Sequence, residues 1–309
     1  MLRILLLLAL LPSLGLAQLK LNGKIVDATT KQPIPFVNIE NFRTKAGTQA
    51  NQNGVFTINL PDGTSLDTLK ISCLGYSERL VTNLPLTGEV SYELIPSVFQ
   101  LKEVRVGGKS KEVEIGVLTK SGHKWESMNQ KMQNPGMQSA VFMKNPGYES
   151  AYIEKLHFFM GDDMFDAPFR VHVYENINGV PGKDLLAKPL TYTAVKKKSW
   201  NAFDVSAYGI SIPKDGFWVA IEWIANDQYK KRVEYEANMP DKTKKKFTYT
   251  YYGPEIVALF DTDFGLTYYK YLANKNWYKK KGSSSIGFSK RMRPSHIDLL
   301  VKSTLKVYD

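Results

Sequence analysis

The chain has 309 residues, 43% of them hydrophobic, a single cysteine and a formal net charge of +11. One cysteine excludes an internal disulfide framework, so burial alone must hold the cores together. The positive charge favours anionic partners and is unevenly spread: residues 18–106 carry nine Lys/Arg against eight Asp/Glu, which leaves about +9 on residues 107–309.

Residues 1–17 read as an export signal. Arg3 supplies a short basic start, Ile4 to Leu11 an apolar stretch, and Gly15-Leu16-Ala17 a small-residue cleavage site. The apolar stretch is well short of the roughly 20 residues of a spanning helix, and no cysteine follows that would carry a lipid. The expectation is Sec-dependent export of a mature chain that begins near Gln18, with no transmembrane span and a periplasmic, outer-membrane-associated or secreted location. The remaining length suits two domains.

Period-two alternation dominates the next stretch. Leu19, Leu21 and Ile25 share one face, as do Phe56, Ile58 and Leu60, and then Leu69, Ile71 and Cys73. Turn clusters separate them, which predicts an all-β sandwich of short strands. Cys73 falls on an apolar strand face and reads as a buried, inert thiol. Asn53-Gly54 predicts a tight type I′ hairpin. Pro33 and Pro35 cannot donate to a sheet ladder, so they belong at a strand start or an edge.

The spacing Gly23-x-Ile25-x-Asp27, Pro33-Ile-Pro35-Phe-Val37-Asn-Ile39, Gly47-Thr48, Asn51-x-Asn53-Gly54-x-Phe56-x-Ile58 and Leu69-x-Ile71-Ser-x-Leu74-Gly75-Tyr76 resembles the carboxypeptidase regulatory-like domain family. Ala50 and Asn51 stand where that family often has Thr-Asp. The resemblance implies a transthyretin-like β-sandwich over residues 18–106. The following "YELIPSVFQLKEVRV" (Tyr92–Val106) is similar to the join between this domain and the plug of outer-membrane TonB-dependent receptors. Such a receptor needs a barrel of about 22 strands of about ten residues, and residues 107–309 are too few for one.

Residues 107–145, rich in Gly, Lys, Gln and Asn, read as a connector with one short strand around Val113–Ile115. Residues 146–309 return to strands: "AYIEKLHFFM", "FRVHVYEN", "WNAFDVS", "FWVAIEWI", "FTYTYY" and "IDLLVKSTLKVY". Phe217, Val219 and Ile221 alternate with Trp218, Ala220 and Glu222, and apolar residues on both faces predict an inner strand. This part resembles the jelly-roll or galactose-binding-like sandwich that follows such regulatory-like modules in exported bacterial proteins.

Candidate chemistry is sparse. His172-Val-Tyr-Glu175 with His296 imitates a zinc-ligand spacing, but on a strand residues i and i+3 point to opposite faces. The strand reading sends Phe169, Val171 and Val173 inward and Arg170, His172 and Tyr174 outward. "GSSSIGFS" (282–289) lacks a nucleophile-elbow glycine spacing and reads as a loop. His123 and His157 have no motif around them. No catalytic residue is assigned and no cofactor is expected, although Asp162, Asp163 and Asp166 in one turn, and Asp261 and Asp263 in another, are the carboxylates a calcium ion would need.

The distinctive feature is lysine interleaved with aromatics in "KKKSW" (196–200), "KTKKKFTYTYYG" (242–253) and "YYKYLANKNWYKKKG" (268–282). Lys245, Lys246, Tyr249, Tyr251, Tyr269, Trp277, Lys279 and Lys280 are the candidate ligand-binding residues. They form either a surface for an anionic glycan or lipid head group, or strand edges kept soluble by lysine around a tyrosine-filled core. Export argues against nucleic acid. The expected function is that of a non-catalytic envelope binding or adaptor module, whose partner is an anionic glycan, a lipid or an envelope protein. The alternatives are a cryptic hydrolase on the second sandwich and a structural accessory subunit.

Overall fold

The computed structural model describes residues 19–44, 46–60, 68–85, 88–97, 108–117, 124–127, 135–240, 243–262, 266–272, 274, 276–279, 281–282 and 295–308. Among them the chain is all-β, with only single turns of 3₁₀ helix at Ser206–Tyr208 and Asp227–Tyr229.

Seven strands build the first sandwich: β1 (Leu19–Asp27), β2 (Asn38–Asn41), β3 (Gly47–Gln49), β4 (Val55–Leu60), β5 (Leu69–Ser72), β6 (Arg79–Val81) and β7 (Glu89–Leu94). One layer runs β4-β1-β7, with β1 and β7 parallel, and the other runs β3-β2-β5-β6. The alternation read from the sequence is what closes the core: Leu21, Ile25, Phe56, Ile58, Leu60, Leu69, Ile71 and Cys73 are all buried within it. Fully burying an aliphatic or aromatic side chain of this size stabilises the fold by roughly 1.5–3 kcal/mol. Gly23 occupies an inward position of β1, where a Cβ would lie 2.6 Å from Val90 and 2.7 Å from the Phe56 ring.

The Asn53-Gly54 turn is not the expected hairpin. β3 pairs with β2 and β4 with β1, so the turn carries the chain from one layer to the other. Of the two residues only Gly54 has positive φ (73°), whereas a type I′ turn needs it at both. Asn51 organises the turn instead, its side chain accepting from the Asn53 and Val55 amides while its carbonyl accepts from Gly54 N–H. Glycine is required because a Cβ at residue 54 would meet the Ile25 carbonyl at 2.6 Å.

The second sandwich is formed by β8 (Ser110–Gly116), β9 (Lys124–Ser127), β10 (Gln138–Met143), β11 (Ala151–Met160), β12 (Phe169–Ile177), β13 (Val180–Asp184), β14 (Leu190–Tyr192), β15 (Ser199–Asp204), β16 (Phe217–Trp223), β17 (Lys230–Asn238), β18 (Lys244–Tyr252), β19 (Val257–Thr262), β20 (Thr267–Lys270), β21 (Tyr278–Lys279), β22 (Lys281–Gly282), β23 (Ser295–Leu299) and β24 (Val301–Tyr308). Its front layer runs β13-β12-β16-β10-β20-β21, with β14 also on β12. The back layer runs β15-β11-β24-β8 and continues into β22-β23-β19-β9, the two parts being joined where Leu300 bonds Phe159 and Val257. Strands β10, β11, β12, β15 and β16 alternate between front and back, the jelly-roll habit. The core between the layers includes Phe158, Phe169, Val171, Val173, Phe217, Val219, Ile221 and Leu305. As expected, β16 is an inner strand, buried on both faces.

The connector expected at residues 107–145 is largely part of this sandwich. β8 pairs with β24 along seven residues, and β10 lies between β16 and β20 in the front layer. The short strand expected around Val113–Ile115 is β8, while the polar flanks of β10 hid a strand whose β16 partners lie at least 74 residues away in sequence.

Candidate functional site

Antiparallel register sets the outer face of the front layer into rows. Arg170, Glu222, Gln138 and Lys270 form one row, His172, Ala220, Ala140 and Tyr268 the next, and Tyr174, Trp218 and Phe142 the third. The sequence expectation that Arg170, His172 and Tyr174 point outward is correct for the sandwich, but they do not reach solvent. The first sandwich docks on this face, so Arg170 (2% exposed), His172 (4%) and Glu222 (0%) are buried.

Glu222 is the centre of this seam. Its Oε1 accepts from Gln49 Nε2 at 2.9 Å and from Asn38 Nδ2 at 3.2 Å, both in the first sandwich. Its Oε2 accepts from Arg170 Nη1 at 3.3 Å and from His172 Nε2 at 2.7 Å. The Nδ1 of His172 lies 2.7 Å from Asp184 Oδ2. Arg170 Nη2 donates to the Phe36 carbonyl at 3.0 Å, and Gln49 Oε1 accepts from Ala225 N–H at 2.7 Å. Leu74 packs against the second core, and Leu272 lies against Gly47.

Burial by itself would raise the Glu222 pKa, but the Arg170 charge and the His172 hydrogen bond outweigh it and hold it at about 2. For His172 burial works toward the neutral ring, yet the hydrogen bonds to Asp184 and Glu222 win and its pKa is raised. A carboxylate oxygen at 2.7 Å from each nitrogen favours the ring that donates from both. Both nitrogens are therefore committed to carboxylates of the second sandwich, one of which, Glu222, also binds the first. Glu175 faces away and accepts from Lys183 N–H, while His296 sits on β23, so the zinc-like trio is not assembled. Among the described residues no group of three His, Cys, Asp or Glu side chains is arranged to hold a metal.

The lysine-aromatic residues fall in two places. Lys245, Lys246, Tyr249 and Tyr251 lie on the β17–β18 hairpin, a two-stranded sheet of nine paired positions. Its alternation stacks Tyr235 on Phe247 at 5.5 Å and sets Tyr249 5.8 Å from Tyr235, while Lys245 Nζ lies 5.5 Å from the Phe247 ring. Lys245 and Lys246 are exposed and Tyr249 is half-buried. Tyr251 is buried instead, and its hydroxyl donates to Asp163 Oδ2 at 2.6 Å. It anchors the root of the hairpin and offers no ring face to a ligand.

Tyr269 and Trp277 lie on opposite faces of the front layer. Tyr269 packs against the sandwich core and Trp277 against the outer aromatic row, edge-on to Tyr174 at 5.7 Å. Lys279 is exposed on β21, and Lys280 lies outside the described residues. Of the calcium candidates, Asp162 is paired with Lys198 (2.8 Å) and Lys197 (3.5 Å) from the "KKKSW" run, and Asp163 with Lys231 and Tyr251. Asp166 accepts from the Tyr229 hydroxyl at 3.4 Å. Asp261 is in β19 with its side chain undescribed, and Asp263, His123 and residues 283–290 lie outside the described residues. The Arg170–Glu222–His172 group escaped sequence reading because nothing local signals that a second sandwich will cover an outward strand face. The one available sign was the charge of Arg170 and Glu222 on strands otherwise apolar.

Comparison with known proteins agrees with the first sandwich. Residues 21–106 match the family described as CarboxypepD_reg-like domain. No curated protein matches the chain in sequence. Among solved structures, the cysteine protease and lectin-like domains of Cwp84, a surface layer associated protein of Clostridium difficile, are 16% identical with a TM-score of 0.31 over 61% of this chain. Cwp84 after propeptide cleavage is 14% identical with a TM-score of 0.35 over 85% of this chain. The chain spans 37% and 51% of those two structures. At such scores the likeness establishes neither a shared fold nor a shared activity. The family motif has a visible physical basis here: Asp27 accepts the Thr29 and Thr30 amides, and the Tyr76 hydroxyl donates to Asp27 Oδ2 at 3.0 Å. Burial and that carboxylate push the Tyr76 pKa up to about 12, which keeps the donor protonated. Residues 21–106 are thus a carboxypeptidase regulatory-like domain, closed by the Asp27 and Tyr76 of its own signature.

Proposed function

We propose that the protein is a non-catalytic binding module, exported to the cell envelope, that contacts an anionic glycan or lipid head group through the β17–β18 hairpin. The observation that carries this reading is the hairpin itself. It forms a sheet of its own, with Lys245 exposed on the face of Tyr235, Phe247 and Tyr249, and Lys244 and Lys246 exposed on the other face. A hairpin alone is marginal in water, and this one is held at its root by Tyr251 and Lys231 on Asp163. Exposed ammonium groups beside aromatic rings combine charge attraction with a surface on which sugars or acyl-glycerol groups can rest. The lack of a catalytic role is supported by His172, the best-placed acid–base group, having both nitrogens engaged in the seam. No helix among the described residues is long and apolar enough to cross a membrane.

The test is retention of the full chain on phosphatidylglycerol vesicles and, separately, on immobilised anionic polysaccharide. Raising salt from about 0.1 to 1 M shortens the Debye length from about 10 to 3 Å. Retention that falls steeply with salt, and is lost in the Lys244→Gln/Lys245→Gln/Lys246→Gln variant, is the expected outcome. Salt-independent retention, or retention unchanged in that variant, overturns the reading.

A further inference from the structure

The seam row ends in a lysine that touches a ring instead of a carboxylate. Lys270 closes the row Arg170–Glu222–Gln138–Lys270. The charged groups that bear on its ammonium are Glu222, Glu40, Lys70 and Asp184. Each of those carboxylates already has a cation: Glu222 has Arg170 and His172, Asp184 has His172, and Glu40 has Lys70 at 4.0 Å. Lys70 in turn also meets Glu78 at 3.2 Å. Lys270 has no ion pair or hydrogen bond of its own among the described residues. Its Nζ instead lies 5.1 Å from the centre of the Trp277 ring.

Lys270 is half-buried, and desolvation by the seam lowers its pKa. Beside it the ring surfaces form a shelf. Trp277 packs edge-on to Tyr174, and Tyr268 packs edge-on to Trp218 at 4.9 Å. Trp277, Tyr268 and Phe142 are half-buried, packed against Tyr174, Trp218 and the small Ala140 and Ala220. An ammonium next to aromatic faces, at the rim of an interdomain seam, has the elements that recognise a ring carrying an acidic substituent: charge complementarity from the ammonium and stacking from the indole.

We propose that Lys270 and Trp277 form a binding site for an acidic sugar residue, with Lys270 on its carboxylate or sulfate and Trp277 against its ring. The site refines the reading of the protein as an anionic-glycan binder by naming the sugar class and a contact separate from the hairpin.

Calorimetric titration of the full chain with a trigalacturonate, a sulfated trisaccharide and a neutral trisaccharide tests it. The wild-type chain is expected to prefer an acidic probe at least tenfold, and the carboxylate and sulfate arms identify which acid is taken. Lys270→Met keeps the packed stem and removes the charge, so it is expected to fold, lose that preference and leave neutral binding unchanged. Lys270→Arg is expected to restore part of the preference, and Trp277→Leu to weaken acidic and neutral probes alike. The inference is overturned if Lys270→Met binds the acidic probes as wild type does. It is also overturned, with the hairpin reading intact, if acidic-probe binding is lost only in the Lys244/Lys245/Lys246 variant. A chain that ignores all probes and also lacks salt-sensitive retention overturns both readings.

Discussion

The seam and the β17–β18 hairpin use the same residue types to opposite ends. At the seam Arg170, His172 and Glu222 are 4% exposed or less and locked by hydrogen bonds from both sandwiches. On the hairpin Arg232 and Glu234 lie 3.7 Å apart with side chains 71% and 65% exposed. Buried ions have been withdrawn from water and depend on one another, so removing one partner is severe. Exposed ions keep their hydration and contribute little to stability. Charge at the seam therefore specifies how the two sandwiches meet, while charge on the hairpin remains available to something outside the chain.

The sharpest way to break that contrast is Glu222→Ala. It leaves Arg170 without a carboxylate in the seam and His172 with Asp184 alone, and a loss of about 3–5 kcal/mol is expected by urea unfolding. A loss below about 1 kcal/mol would mean that the seam admits water and resembles the hairpin. Next in size is Gln49→Ala, which removes one donor to Glu222 and one acceptor for Ala225 N–H. It is expected to cost about 1–3 kcal/mol, the penalty of buried groups left unsatisfied.

Protonation sharpens the same comparison. The His172 pKa is raised in the folded chain, so its contribution is complete below the ordinary value of 6.5 and is lost as pH climbs through the folded pKa. Glu222 is lowered, so its contribution is complete above 4.5 and is lost as pH falls toward about 2. Thermal melting of wild type against His172→Gln should show the two curves converging on the alkaline side. Parallel curves there would mean that His172 is neutral in the seam. The smallest effect is expected for Arg232→Gln on the hairpin, within about 0.5 kcal/mol in stability. A larger loss in unfolding experiments would show that the hairpin is packed as the seam is.

The first sandwich was readable because its pattern is local. Leu21, Phe56 and Ile71 each announce an inward face by period two, and the Asp27 and Tyr76 of the signature recur at a spacing that closes one contact. The Asn53-Gly54 turn misled for a physical reason. The same dipeptide suits a hairpin or a crossing between layers, and the choice belongs to which strands β3 and β4 pair with, not to the turn. The strand expected around Val113–Ile115 exists as the longer β8, but β10 was missed because its ladders form with β16 and β20, and a polar flank gives no sign of a distant partner. Tyr249 and Tyr251 look alike in sequence, yet one borders the hairpin surface and the other is buried on Asp163.

By itself the sequence determined the all-β class, the regulatory-like sandwich and the concentration of positive charge beyond residue 107, since alternation, turn residues and charge are properties of short stretches. Only the tertiary structure decided that an outward strand face becomes a buried seam, that the lysine-aromatic runs separate into a hairpin and a shelf, and that Lys270 comes to lie over Trp277. Those outcomes depend on which surfaces meet, and the burial that gives a charge its energetic weight exists only after the two sandwiches have docked.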